Sequence, residues 1–294
     1  MPLPGRYLTS ALVRRDGELF LFDCGEGTQV SLKMLNLKWK KISAIFISHM
    51  HADHVTGLPG LLMLSSQVER EDPLYIYGPE RLVEYIDASR RILDMYINYE
   101  IKVIPVKEGE IYRGDGFSIN AFSLIHTKPC FGYSLVENKR KGEFFPDKAI
   151  ALGIPKGRLW GELQKGNPIT LPDGRVIESS MVMGKEREGR KFSYVTDSLY
   201  FPEISDFVHD SDILFCEGMF EDALAESAHE KKHMTSSEAA RIARDGYCEK
   251  LCLQHYSPRY SDKELKVLKD EAQKIFPNTV LTRDRMQFDI ALKD

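Results

Sequence analysis

Three imidazoles and a carboxylate stand within six positions, His49-Met50-His51-Ala52-Asp53-His54, directly after the apolar residues Ile42, Ala44, Ile45, Phe46 and Ile47. No other stretch limits the possible folds as sharply. The run is too continuously apolar for a strand with one wet face, so it predicts a strand covered on both sides, as in layered α/β folds. The histidines then occupy the connection that leaves this strand, and Gly57-Leu58-Pro59-Gly60 punctuates the chain before a buried helix beginning at Leu61. With eight histidines and about twenty aspartates, chance places H-x-H-x-D-H in a chain of this length about four times in ten thousand. A histidine alone is most often a hydrogen-bonded core residue, but four ionisable neighbours in one loop repel or stay desolvated unless a cation neutralises them. Imidazole and carboxylate donors with no thiolate nearby suit catalytic zinc better than a closed structural site.

Further apolar strands run into residues of the same chemistry. Phe117, Ile119, Ala121, Phe122, Leu124 and Ile125 precede His126; Phe192 to Val195 precede Asp197; Leu251 to Gln254 precede His255; and Ile213 to Cys216 precede Glu217. Layered α/β folds collect their sites at such strand ends. His233 stands at a helix entrance, because Thr235 and Glu238 have capping-box spacing ahead of Ala239, Ala240, Ile242 and Ala243. His209 and His229 lie in polar stretches and read as solvated. Asp23, after the short strand Phe20-Leu21-Phe22, either orients a ligand histidine or caps the turn that follows. Beyond it a helix is expected with Val30, Leu32, Met34, Leu35 and Leu37 as its apolar face. Elsewhere the periodicity predicts a helix over Leu82 to Tyr99 with Val83, Ile86, Ile92 and Leu93 inward, and another over Ser261 to Phe276 opened by Ser261 and Glu264. Thr279 to Thr282 and Met286 to Ile290 read as closing strands, and Met1 to Gly5 as turn or coil.

At 294 residues the chain can bury a substantial core without disulfide staples. Its net charge of −4 rules out a generally basic nucleic-acid binder, so any RNA contact needs a local patch. One segment has that character. Residues 137–191 carry twelve Lys and Arg against eight Asp and Glu, a net of +4, which leaves −8 on the remainder. A basic, glycine-rich insertion suits phosphate-backbone contact, and by charge alone it suits a solvated loop equally. No apolar run is long enough to span a membrane or form a secretory signal. The five cysteines are odd in number and lack a paired C-x-x-C spacing, so reduced thiols and a cytoplasmic location are expected, with Cys252 in the core rather than at a metal.

His49-Met50-His51-Ala52-Asp53-His54, followed by His126, Asp197 and His255, resembles the signature of the metallo-β-lactamase superfamily. Asp23-Cys24-Gly25-Glu26-Gly27-Thr28-Gln29 and the stretch around Arg6-Tyr7-Leu8-Thr9-Ser10 are similar to segments of the ribonuclease Z family, endonucleases that trim the 3′ end of precursor tRNA. The resemblance implies an α/β fold, a single αββα four-layer sandwich over 1–294 with the inserted arm 137–191. It implies two zinc ions per chain, one held by His49, His51 and His126, the other by Asp53, His54 and His255, with Asp197 bridging. Asp53 would also accept a proton from the attacking water. Glu217 and His233 correspond to the family's proton-delivering pair, although Gly218-Met219 and Met234 replace the usual neighbours. The insertion is similar to the arm that grips tRNA, with Gly157-Arg158 where the family has Gly-Pro, so Lys156, Arg158 and Lys165, together with Arg259, are expected to meet the RNA. A homodimer is implied as well. The family's first strand has no counterpart before Arg6, which leaves either an internal start or one edge strand fewer.

Two rivals follow from the same residues. One is a metallo-β-lactamase-type hydrolase acting on a thioester, lactone or small phosphodiester. The other is a non-catalytic nucleic-acid-binding protein with a structural metal, and the lack of cysteine donors speaks against it.

Overall fold

Strands with alternating faces build two large sheets, one after the other along the chain, and Ile169–Thr170 and Val176–Ile177 pair as a small third sheet. The computed structural model describes residues 3–293 apart from 4, 38 and 69. Three of the five residues expected as coil at the start, 1, 2 and 4, therefore lie outside the described residues. The first sheet has the order β1 (Ala11–Arg15), β2 (Glu18–Phe22), β3 (Ile42–Phe46), β4 (Leu74–Gly78) and β5 (Ile101–Pro105). It is antiparallel between β1 and β2 and parallel thereafter. Its connections carry α1 (Thr28–Met34), α2 (Ala52–Val55), α3 (Leu58–Gln67) and α4 (Leu82–Ile92).

After β6 (Gly109–Gly114), β7 (Phe117–Ser123) and β8 (Phe131–Glu137), the chain enters a second compact unit made of Glu137–Arg190 and Ala291–Asp294. That unit holds α5 (Pro146–Ala151), α6 (Arg158–Gln164), β9 (Ile169–Thr170) and β10 (Val176–Ile177) around its own core of Ala149, Ile154, Leu163, Leu171 and Val182. Its two ends are clasped to each other: Arg190 donates to both carboxylate oxygens of Glu137, at 2.8 and 2.7 Å. The main unit, Met1–Val136 with Lys191–Ile290, resumes with β11 (Lys191–Val195), α7 (Glu203–Phe207), β12 (Ile213–Glu217), α8 (Ala225–Glu230), α9 (Ser236–Asp245), β13 (Leu251–Gln254), α10 (Lys266–Ile275) and β14 (Thr279–Leu281). These strands complete a seven-stranded sheet, β14-β13-β12-β11-β8-β7-β6.

The two-residue alternation explains the layers. On β2, Phe20 and Phe22 face the second sheet while Leu19 and Leu21 face the helices. On β3, Ala44 and Phe46 point the first way and Ile45 the second, and a register shift in the pairing with β2, between Leu19 and Phe20, puts Ile42 on the same side as Ile45. Phe22 and Phe46 stack at 5.2 Å and Phe46 and Tyr77 at 5.1 Å, and they meet Tyr133, Phe192 and Tyr194 of the opposite sheet. Leu32, Leu58, Leu61 and Ile86 cover the outer face of the first sheet; Ile204, Ala239, Ile242 and Ala272 cover that of the second. The result is the expected helix–sheet–sheet–helix order.

Some local expectations give way. α3 starts at Leu58 rather than Leu61, since a proline in the first turn gives up an N–H that has no helical partner there. α1 is only two turns long, and Asn36 follows it in the left-handed conformation, so of its expected face Leu32 is buried while Val30 and Met34 are exposed. α4 stops at Ile92, before left-handed Asp94, and buries Leu82 and Ile86. Ile92 lies about 240° round the axis from Ile86, so it faces water with Leu93, and Val83 is exposed too. α10 begins at Lys266, Ser261 and Glu264 closing a turn ahead of it. Residues 286–290 join neither sheet; Phe288 and Ile290 pack on the core from an extended segment that needs no ladder.

Phe46 sits at the centre of the intersheet layer, with no exposed surface. Phe46→Ala is expected to lower unfolding free energy by about 3–5 kcal/mol, the range for an aromatic cavity that cannot collapse. Urea denaturation of the two proteins checks it.

Candidate metal centre

Strand ends supply the site. Asp23 follows β2, Ser48 and His49 follow β3, Asp197 follows β11, Glu217 closes β12 and His255 follows β13, while His126 lies a few residues past β7. His51 caps the single-turn helix α2, on which Asp53 and His54 stand. Two loops are stitched together to hold them: Cys24 N donates to His54 O and Gly57 N to Cys24 O, each at 2.8 Å. A Cβ at Gly57 would fall 2.2 Å from Gly25 O, so only glycine permits that backbone approach.

The donors converge in three overlapping groups. His49, His51, His126 and Asp197 form one, Asp53, His54 and His255 another, and Asp197, His233 and His255 a third; within each, the ligand atoms lie within 4.8 Å of one another. Asp197 faces both of the first two. Its Oδ2 is 3.7 Å from His49 Nε2 and 3.6 Å from His126 Nε2, whereas its Oδ1 is 3.5 Å from His54 Nε2 and 3.3 Å from His255 Nδ1.

Ring orientation follows from hydrogen bonds behind the donors. Asp23 Oδ2 accepts from His54 Nδ1 at 2.6 Å, from Ser48 Oγ at 2.8 Å and from Tyr194 OH at 2.7 Å, and Oδ1 accepts from Ser48 N at 2.7 Å. The single hydroxyl hydrogen of Ser48 being spent on Asp23, its oxygen accepts from His49 Nδ1 at 3.0 Å. His126 Nδ1 donates to Lys232 O at 2.9 Å. All three rings therefore turn Nε2 inward. Of Asp23's two alternatives, orienting a histidine is the one realised. Asp23 and His255 both hold left-handed φ values of 55°, a conformation that costs a non-glycine residue about 1–3 kcal/mol and gathers at functional sites.

These residues fit a divalent cation. Nε2 of His49, Nε2 of His54 and Nδ1 of His255 are buried without a hydrogen-bond partner among the described residues, a cost of about 1–3 kcal/mol each that a bound ion would offset. His126 Nε2 and His51 Nδ1 point at each other across 3.1 Å. Burial and the neighbouring His54 drive His49 down to about 2, and burial lowers His126, which keeps their lone pairs available. Burial opposes charge on His54 too, but Asp197 and Asp23 outweigh it and hold His54 well above the usual imidazole range. Asp53 is likewise pushed up by burial, yet the hydrogen bond from His255 and the proximity of His54 keep it below the usual carboxylate range.

Glu217 and His233 meet beside the donors. His233 Nδ1 lies 3.0 and 3.2 Å from the two oxygens of Glu217, which is fully buried and also accepts from Ser198 N at 2.6 Å. The His233 ring is 4.8 Å from that of His126. Thr235 and Glu238 form the capping box that starts α9 just after it. His209 and His229 are exposed, and the five cysteines are buried and free. Lys156, Arg158 and Lys165 are exposed on the second unit; Arg259 is exposed on the main one, its guanidinium 5.0 Å from the Phe220 ring centroid. Tyr194 and Lys232 escaped sequence reasoning. Tyr194 acts on Asp23 from 171 residues away through a hydroxyl, and Lys232 acts through its carbonyl, which every residue possesses.

Known proteins share this arrangement of chain and fold. The ribonuclease Z of Treponema denticola is 57% identical over 295 residues, covering all of this chain and 96% of the relative. That of Methanosarcina acetivorans is 39% identical over 290 residues, covering 99% and 94%. Among solved structures, the short form of human tRNase Z superposes with a TM-score of 0.69 at 26% identity, covering 99% of this chain and 95% of the other. The family model described as "Anti-Pycsar protein Apyc1" matches residues 4–147.

Adding Zn²⁺ at about 100 times its dissociation constant to chelator-treated protein is expected to stabilise the fold by about 2.7 kcal/mol. Asp197→Ala, which removes the carboxylate facing both groups, should abolish most of the rise in thermal midpoint.

Proposed function

The chain belongs to the ribonuclease Z family, tRNA 3′-processing endoribonucleases on the metallo-β-lactamase fold, and from that premise we propose how its residues divide the work. His49, His51 and His126 hold one zinc ion, Asp53, His54 and His255 a second, and Asp197 serves both. The observation that carries this reading is the pair of donor groups facing opposite oxygens of one buried aspartate. Nitrogen and carboxylate donors without sulfur favour zinc. Bound there, the metal supplies Lewis acidity, which lowers the pKa of water and offsets charge on the phosphate oxygens.

The chain's own groups handle protons. Asp53 is the most open carboxylate of the set, with 36% of its side chain exposed, and it is held anionic, so it accepts the proton of the attacking water. Burial raises Glu217 and lowers His233, and both directions disfavour separated charges. The pair therefore carries one proton between its members, and His233 delivers it to the departing 3′ oxygen of the tRNA. Hydrolysis leaves a 3′ hydroxyl on the tRNA and a phosphate on the trailer.

The second unit supplies affinity. Its segment of the chain is the positively charged one, and Lys156, Arg158 and Lys165 present their charges to solvent, as phosphate contacts require; Arg259 adds a cation on the main unit. Exposed apolar side chains on α1 (Val30, Met34), on α3 (Met63) and around the end of α4 (Ile92, Leu93, Tyr96) support a homodimer. Five buried free thiols suit a cytoplasmic location. No helix among the described residues is long and apolar enough to cross a membrane.

Incubating the zinc-loaded protein with a 3′-extended tRNA precursor, a small phosphodiester and a thioester tests the assignment; precursor tRNA bound but left uncut would overturn it. Replacing residues 138–189 with a short linker should raise KM for precursor tRNA about 10-fold or more while changing turnover of the small phosphodiester little, since that substrate makes no backbone contacts. Asp53→Ala should abolish turnover of both while tRNA binding persists. Mixed dimers of the two variants should regain activity if the arm of one subunit serves the centre of the other.

A further inference from the structure

The turn between α8 and α9 is built around an unfavourable residue. Lys231 caps α8, Lys232 follows with φ 57°, and His233 N donates back to Ala228 O at 2.9 Å, the closure by which a left-handed residue ends a helix. Glycine takes that conformation at little cost, and lysine does not. What the conformation achieves is visible on both sides of the residue. It turns the Lys232 carbonyl onto His126 Nδ1 at 2.9 Å, and the lysine ammonium reaches back to His126 O at 3.2 Å. The very next side chain is His233, bonded to Glu217 and with its ring centroid 4.8 Å from that of His126. One peptide thus sets the tautomer of His126, leaving its Nε2 lone pair inward, and the position of the His233 ring.

We propose that the left-handed turn at Lys232 is a positioning device that couples the metal ligand His126 to the proton donor His233, so that filling the metal site orders the proton-delivering turn. The inference rests on the roles proposed above for His126 and His233. A ring held rigidly by a cation fixes the direction of its Nδ1–H, and that hydrogen bond fixes the Lys232 carbonyl. Because His233 is the adjoining residue, its backbone inherits the constraint. Partners of this kind, behind the ligands, typically change metal affinity 10–100-fold when lost.

The test separates the conformation of the turn from the charge of the side chain. Lys232→Gly keeps the left-handed geometry and the carbonyl; Lys232→Val disfavours that geometry through its branched Cβ. Zinc affinity is read by chelator competition, independently of catalysis. The glycine variant is expected within about 3-fold of the parent and the valine variant at least about 10-fold weaker. On precursor tRNA the valine variant should lose kcat about 10-fold with KM nearly unchanged. Zinc should slow amide exchange at Lys232 and His233 in the unaltered protein, and this protection should survive in the glycine variant and vanish in the valine variant.

Equal zinc affinity in the two variants overturns the proposal. So does a raised KM at constant kcat, which would place the lysine on the substrate. If the valine variant fails to fold, exchange in the unaltered protein still decides, because protection of the turn that is indifferent to zinc overturns the coupling. Absence of tRNA cleavage by the unaltered protein would sink the assigned activity while leaving the zinc and exchange measurements to judge the turn.

Discussion

The carboxylate of Asp23 is the interaction on which the rest of the molecule depends. It accepts from the Ser48 amide, the Ser48 hydroxyl, the His54 ring and the Tyr194 hydroxyl, all at 2.6–2.8 Å and fully buried. Hydrogen bonds to a charged group contribute about 1.5–3 kcal/mol each, so this one residue joins the ends of β2 and β3 to the second sheet firmly. It also decides chemistry. By taking the Ser48 hydrogen it obliges the Ser48 oxygen to accept from His49, and by taking the His54 hydrogen directly it leaves the buried Nε2 atoms of both rings facing one space.

That space is a place where folding stability is spent on function. Unpartnered buried nitrogens and two left-handed residues at Asp23 and His255 would each be selected against in an ordinary core. They persist because the layers on either side over-determine them. The intersheet aromatic cluster fixes the strand ends from within, and α1, α3 and α9 seal them from outside. A cation bound among the donors then offsets repulsion that the apo fold must otherwise carry.

The division of the chain matches a division of charge. The main unit is the acidic part and holds every donor of the metal-type groups; the second unit, with its own small apolar core, is drawn from the basic stretch. On the function proposed above, affinity for a polyanion would fall to the open cationic surface and chemistry at a phosphorus atom to the cluster of buried donors, and separate units would let each be optimised without disturbing the other.

The residues that converge around Asp197 were legible as candidates in the order of residues alone, as was a layered α/β fold. Strand periodicity and the spacing of His49, His51, Asp53 and His54 are short-range properties, and a buried strand followed by a candidate ligand leaves the same signature four times, before His49, His126, Asp197 and His255. The Thr235–Glu238 cap was legible for the same reason. What only the tertiary structure decided were matters of direction. Which nitrogen of each ring faces the centre, that Asp23 orients rather than caps, that Lys232 presents a carbonyl, and that Val30, Met34 and Ile92 face water all depend on partners brought from remote parts of the chain. A hydrogen bond from Tyr194 to Asp23 spans 171 positions and obeys no periodicity, so it becomes visible only when two sheets close on one another.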